Sequence, residues 1–145
     1  MSNTVELQQQ EDFRFAIRFG GALPPLDADE SLPLGKGAGP TPIQLLAAAV
    51  GNCLSDSLLF ALRKFKQAPE PIRAVVEASV GRNPDNRMRV QRIAVRLTVG
   101  VPRSSLQHLD RALAQFEDFC TVAQSVRQAI PIEVEVYDSV GARLK

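Results

Sequence analysis

The order of elements along the chain predicts an α+β fold, with strands and helices grouped rather than alternating singly. Three observations carry this reading. An alternating strand near the start, Asp12 to Phe19, leads into a long loop and not into a helix. A long apolar helix follows from Thr41-Pro42 to about Lys66. Behind it come two strands in hairpin order, two helical segments and a closing strand.

Residues 1–10, MSNTVELQQQ, read as a frayed polar lead-in. In the first strand Phe13, Phe15, Ile17 and Phe19 share one face, and Arg14, Ala16 and Arg18 the other. Gly20 to Pro42 holds five of the nine glycines and five of the ten prolines, which makes it a loop, with a short extended piece around Asp29 to Leu32. Structureless connections of that length are uncommon in compact domains and are usually functional.

Thr41-Pro42-Ile43-Gln44 has the form of a capping box with proline at the first helical position. The run LLAAAV that follows is apolar on every side, so this half of the helix is expected to be buried all round. Pro69 lies beyond its end. Ile72–Val80 and Met88–Val99 read as a hairpin around the polar turn Gly81–Asn86. Ser104-Ser105-Leu106-Gln107 offers a second capping box, ahead of a helix with Leu106, Leu109, Leu113 and Phe116 on one face. A break near Asp118 precedes a short helix from Cys120 to Gln128, and Ile132, Val134 and Val136 alternate with Glu133 and Glu135 in a last strand. With 145 residues, no repeat and no low-complexity tract, a single domain over 1–145 is expected.

Composition narrows the function. A net charge of +1, with Lys and Arg scattered, calls for neither nucleic acid nor an anionic membrane. The apolar stretch Leu45–Leu62 is interrupted by Asn52, Ser55, Asp56 and Ser57, as in a core helix and unlike a membrane span. The start of the chain lacks the basic and apolar regions of a secretion signal, so a cytoplasmic location is expected. In that reducing compartment a disulfide between the two cysteines would be transient, catalytic or redox-sensing. One histidine and two cysteines make a poor transition-metal set, and His108, between Gln107 and Asp110, reads as a solvated surface residue. Gly35, Gly37 and Gly39 follow no clear strand and read as loop flexibility, not a phosphate cradle. No cofactor is implied.

The chemistry rests on the cysteines. Cys53 lies about three turns into the long helix, sharing a face with Leu46, Ala49, Val50, Asp56, Ser57 and Phe60. A mid-helix position receives little from the helix dipole, so as a nucleophile Cys53 needs a cation from elsewhere. Cys120 falls at a helix start, where backbone N–H groups favour a thiolate. Taken singly, each is also the sort of small apolar residue that packs a core.

Two segments together resemble a known family. GAGPTPIQLLAAAVGNCLSDSLLFAL at residues 37–62 and FEDFCTVAQSVRQAIPIEVEV at 116–136 are similar to the two half-motifs of OsmC/Ohr proteins, and the order of elements between them matches. The resemblance covers roughly residues 12–138 and lies closer to the broader OsmC-like branch. It implies an antiparallel sheet packed on a long central helix, in an intertwined homodimer with active sites at the subunit interface. It also implies a thiol peroxidase of antioxidant stress response. Cys53 matches the peroxidatic position and Cys120 the resolving one, with an organic hydroperoxide or other small apolar substrate and a thiol reductant of unknown identity. An arginine from the N-terminal portion, Arg18 or else Arg14, would stabilise the thiolate. The sequence departs from the family at Ile43, ten residues before Cys53, where well-known peroxidases carry a Glu that orients the arginine. Asp29 or Glu30 could replace that carboxylate.

Three functions therefore compete. The first is a peroxidase cycling through a Cys53 sulfenic acid and a Cys53–Cys120 disulfide. The second is a redox sensor or small-molecule-binding protein without turnover, which Ile43 suits better. The third is a scaffold in which both cysteines are packing residues.

Overall fold

The computed structural model describes residues 3–145. They form two compact units, the first ending at Leu46 and the second running from Ala47 to Lys145, so that the division falls inside the long helix α1 (Pro42–Lys64).

The first unit is an antiparallel meander of β1 (Glu6–Glu11), β2 (Arg14–Arg18) and β3 (Leu26–Ala28), with Gln8 opposite Ala16 and Phe15 opposite Ala28. The expected lead-in is thus corrected: residues 6–10 belong to a strand, while Met1 and Ser2 lie outside the described residues. All six β1 residues are exposed, so no burial imposes an alternating pattern, and pairing with β2 alone specifies the strand. Asp12, at φ 49°, and Phe13 form the turn, which trims the expected Asp12–Phe19 strand to Arg14–Arg18. Ala16 and Ile17 are buried, whereas Phe13, Phe15 and Phe19 stay exposed.

The breaker-rich loop is ordered around a carboxylate. Asp29, 3% exposed, accepts N–H bonds from Glu30 (2.8 Å), Lys36 (3.2 Å) and Ala38 (3.1 Å). These bonds, that from Ala38 foremost, hold the carboxyl below its usual range. Gly35 is required here, because a Cβ would lie 2.2 Å from the Glu30 carbonyl oxygen. The first capping box forms as expected: Gln44 N–H donates to Thr41 Oγ1 (3.2 Å), and Thr41 N–H to Gln44 Oε1 (2.9 Å).

The second unit contains β4 (Arg73–Arg82), β5 (Met88–Thr98) and β6 (Ile132–Tyr137), in that order across one sheet. β4 and β5 pair antiparallel, with Val76 opposite Val95, but β5 and β6 pair parallel, with Val95 opposite Val134. The expectation of one antiparallel sheet is therefore corrected to two sheets, the second of them mixed. Between β5 and β6 run a 3-10 turn (Arg103–Ser105), α2 (Leu109–Gln115), a second 3-10 turn (Phe116–Phe119) and α3 (Thr121–Arg127). Parallel pairing needs a crossover of a dozen or more residues, which this connection supplies.

The core of this unit joins α1 to the sheet. Val50, Leu54, Leu58 and Leu62, four residues apart, are fully buried, as are Ile93, Leu97 and Val136 on the sheet. At Gly51 an added Cβ would stand 2.5 Å from Val76 Cγ2, so the helix backbone lies directly on β4. All-round burial of LLAAAV is not observed: Ala47 and Val50 are buried, but Ala48 and Ala49 are exposed. The second capping box does not form either. Leu106 is extended, Gln107 N–H donates instead to Gln67 Oε1 (2.8 Å), and α2 starts after His108, whose φ of 57° is left-handed. His108 is exposed, as expected, and its ring stacks on Phe65 with centroids 5.3 Å apart. Asp138, 2% exposed, accepts N–H bonds from Arg103 (2.8 Å), Val140 (3.0 Å) and Ala142 (2.8 Å) and so ties the segment after β5 to that after β6.

The Gly51 contact has a measurable consequence. Alanine in place of a helical glycine gains about 1 kcal/mol of propensity, but overpacking typically costs about 1–3 kcal/mol. Val76 is β-branched and stiff at χ1, so it yields little. Gly51→Ala should therefore be neutral or destabilising in urea denaturation, and in a Val76→Ala background it should become stabilising.

Candidate active site

Both cysteines lie in the second unit and are reduced. Cys53 sits on α1 beside the buried ridge of Val50 and Leu54 and is itself half-buried. The polar residues around it in sequence are mostly engaged along the helix. Ser55 Oγ donates to the Gly51 carbonyl (2.7 Å), and Asn52 Nδ2 donates to Asp56 Oδ2 (2.8 Å). Bonds of this i, i+4 kind satisfy the helix surface and leave the thiol alone. Ser57 is the exception, because its side chain reaches Cys120.

Cys120 is fully buried and forms the N-cap of α3, its Sγ accepting the Ala123 N–H at 3.4 Å. The fold places Cys53 and Ser57 close enough to this sulfur to influence its titration. Burial above all, and then the neighbouring Cys53, push the Cys120 thiol up to about 11, while the Ala123 N–H and Ser57 pull the other way. The expectation that the helix start favours a Cys120 thiolate is thus overturned, because loss of hydration outweighs one N–H bond. Cys120 therefore keeps its proton at neutral pH.

The remaining sequence-derived candidates lie in the first unit. Arg18 is exposed, with Nη1 3.4 Å from Gln8 Oε1 on the neighbouring strand. Arg14 is half-buried; Lys36 holds the Glu11 carboxyl below its usual range, and the Arg14 guanidinium adds a smaller push in the same direction there and at Asp29. Its Nε is buried without a hydrogen-bond partner. The Asp29 carboxylate is occupied by three loop N–H groups, and Ile43 is 38% exposed at the first turn of α1. Among the described residues no group of three or more His, Cys, Asp or Glu could hold a metal ion.

Further along α1 runs an apolar cleft that neither cysteine lines. Phe60, two turns along α1 from Cys53, is 67% exposed, and Phe119, adjacent to Cys120, is 64% exposed. Together with Ala61, Lys64, Phe65 and Gln115 they line a cavity of about 80 Å³. Sequence reading missed two further features. Ser57 was visible only as a helix-face neighbour of Cys53, and Glu117, which binds both Arg127 and Lys145, gave no signal at all.

The fold is α+β, with two free cysteines in its second unit, Cys53 half-buried on the central helix and Cys120 buried at a helix start. The chain belongs to the OsmC-like protein family, whose model matches residues 35–135. Solved structures agree on the fold. The chain is similar to an OsmC-like protein of unknown function from Vibrio cholerae, with TM-score 0.79, 18% identity and coverage of 94% of this chain and 99% of that one. It is similar to an organic hydroperoxide resistance protein OsmC from Legionella pneumophila, with TM-score 0.65, 18% identity and coverage of 94% and 96%. It is also similar to the organic hydroperoxide resistance protein OhrB of Bacillus subtilis, with TM-score 0.68, 14% identity and coverage of 94% and 98%. Functionally curated proteins yield no match.

The unequal thiols give a direct test. Alkylation by iodoacetamide at neutral pH should modify Cys53 first and Cys120 slowly. In Cys53→Ala the rate at Cys120 should still rise with pH well above 8.5, but with a midpoint below that of the intact pair, because the contribution from Cys53 is gone. Adding Ser57→Ala should move that midpoint up again.

Proposed function

We propose that this chain is a thiol peroxidase that reduces organic hydroperoxides through Cys53 and Cys120. The observation that carries the reading is the pairing of a half-exposed Cys53 sulfur with a buried Cys120 thiol that retains its proton. A peroxide can reach Cys53, whereas Cys120 is closed to solvent. In the first step the Cys53 sulfur attacks the distal peroxide oxygen, the O–O bond breaks and an alcohol leaves, with Cys53 as sulfenic acid. In the second the Cys120 sulfur attacks the Cys53 sulfur, and the sulfenic hydroxyl leaves as water with the Cys120 proton. An external dithiol then supplies two electrons and two protons to restore both thiols. The exposed rings of Phe60 and Phe119 would offer an apolar surface to the alkyl or aryl group of the peroxide.

Titration of free thiols against cumene hydroperoxide tests this. The wild type should lose two thiols per peroxide, Cys120→Ser should trap a sulfenic acid at Cys53, and Cys53→Ser should lose none. Persistence of both thiols for hours would end the reading. The family resemblance further assigns a cation to the thiolate, and a slower first step in Arg18→Ala or in Arg14→Ala would identify it.

Ile43 in place of a carboxylate favours a second reading, a redox sensor or binding protein that uses the same pair without turnover. A ligand should then raise the melting temperature by mass action while the thiols persist.

The functional unit we propose is a homodimer. Ala48, Ala49 and Phe60 leave apolar surface open along α1, as do Phe13, Phe15 and Leu32 in the first unit. Sedimentation should give twice the chain mass, and Ala48→Glu should weaken association.

A further inference from the structure

We propose that Glu117 is a positioning residue that holds Cys120 against Cys53, through a double ion pair that fastens the Cys120 segment to β6. The role rests on the peroxidase reading only in that Cys120 must close onto Cys53; disulfide formation by any oxidant would draw on it equally.

Glu117 lies three residues before Cys120, in the 3-10 turn that leads into α3. Its carbonyl accepts the Cys120 N–H (3.1 Å) and Gln124 Nε2 (3.0 Å), so the backbone at Glu117 fixes both the N-cap cysteine and the first turn of α3. Its carboxylate, only 16% exposed, meets a different cation at each oxygen. Arg127 Nη2 lies 2.8 Å from Oε1, and Lys145 Nζ bonds Oε2. Both cations are anchored to the last strand. Arg127 Nη2 also donates to the carbonyl of Ile132, the first residue of β6 (3.2 Å). The backbone of Lys145 pairs with Val136 through two N–H···O bonds of 2.9 and 3.1 Å. Lys145 Nζ further donates to the Leu113 carbonyl (3.0 Å) and stands 5.2 Å from the centre of the Phe116 ring.

The turn carrying Cys120 is thus held from two sides by a partly buried charged network. Charge-assisted bonds to a poorly hydrated carboxylate are stronger than surface pairs. Glu117 is accordingly held below the usual carboxylate range, even though burial works against this. A network made only for stability could sit anywhere between α3 and β6. This one is centred on the residue whose carbonyl binds the Cys120 N–H. Disulfide closure must shorten the thiol contact to a bond of about 2 Å with a defined dihedral angle. The rate and equilibrium of closure depend on how narrowly the two sulfurs are held together.

The experiment compares wild type with Glu117→Gln and Lys145→Met. Two quantities are read: the rates of sulfenic acid formation and disulfide closure after cumene hydroperoxide, and the midpoint of the Cys53–Cys120 disulfide in a glutathione redox buffer. In Glu117→Gln closure should slow about tenfold or more and the disulfide should become about tenfold easier to reduce, as expected for a lost preorganising contact. Sulfenic acid formation at Cys53 should change less than about twofold, because attack on the peroxide does not need Cys120 held. Lys145→Met, which removes one cation and leaves Arg127, should shift closure in the same direction by less. It carries the test if Glu117→Gln fails to fold. An unchanged closure rate and midpoint in folded variants would overturn the proposal, as would equal slowing of both steps. If peroxide leaves the wild type untouched while the glutathione midpoint still shifts in Glu117→Gln, the peroxidase reading fails and the positioning role stands.

Discussion

The packing of α1 on the β4–β5–β6 sheet decides where the chemistry can happen. The buried row Val50, Leu54, Leu58 and Leu62 fixes the rotation of the helix, and the missing side chain at Gly51 lets its backbone rest on Val76. With that rotation set, Cys53 falls at the margin of the buried face, half-covered and half-open. One residue further round and it would be sealed in the core or turned fully to solvent. The parallel pairing of β5 with β6 supplies the other half of the constraint. The chain must cross between them, and that crossover carries α2, the 3-10 turn and α3, so Cys120 arrives at the thiol of α1 from an element far away in sequence.

Once the two sulfurs meet, burial divides their roles. Cys120 caps α3, and a helix start ordinarily favours an anion. Yet complete removal from water outweighs one N–H bond, and the contact with Cys53 adds to the same side. A thiol that holds its proton and cannot be reached by solute is a poor first nucleophile but a sound second one. In the proposed cycle it would react only with a sulfur already beside it, and its proton would leave with the sulfenic hydroxyl as water. The unequal exposure of the two cysteines therefore follows from packing.

Much of this was legible in the sequence, and what escaped shares a cause. The α1 cap, the hairpin, α3 and β6 were announced by local signals: a capping box, a polar turn, a proline-bounded short helix and an alternating strand. The two cysteines were legible as a pair through the half-motifs around them, which no single-residue argument would have linked. β1 escaped because a strand exposed on both faces has no period to read. The second capping box misled because Gln107 spends its N–H on Gln67, forty residues away, and a left-handed His108 delays the helix. The sheet direction escaped because alternation in β6 is the same whether it pairs parallel or antiparallel. In each case the deciding partner is distant in sequence.

The site shows the same limit most sharply. Asn52, Ser55 and Asp56 crowd Cys53 in sequence and suggest a polar active-site environment, but they are consumed by bonds within α1. Asp29, a plausible substitute for the carboxylate absent at Ile43, is consumed by its own loop. Polar residues near a cysteine in sequence are thus weak evidence about its chemistry until their hydrogen bonds have been accounted for. Beside these, Ser57 lies near the Cys120 sulfur, and the proposed role of Glu117 acts through the backbone of the turn it anchors. Neither stands out by residue type or spacing. Both follow from asking where each buried donor and acceptor finds its partner.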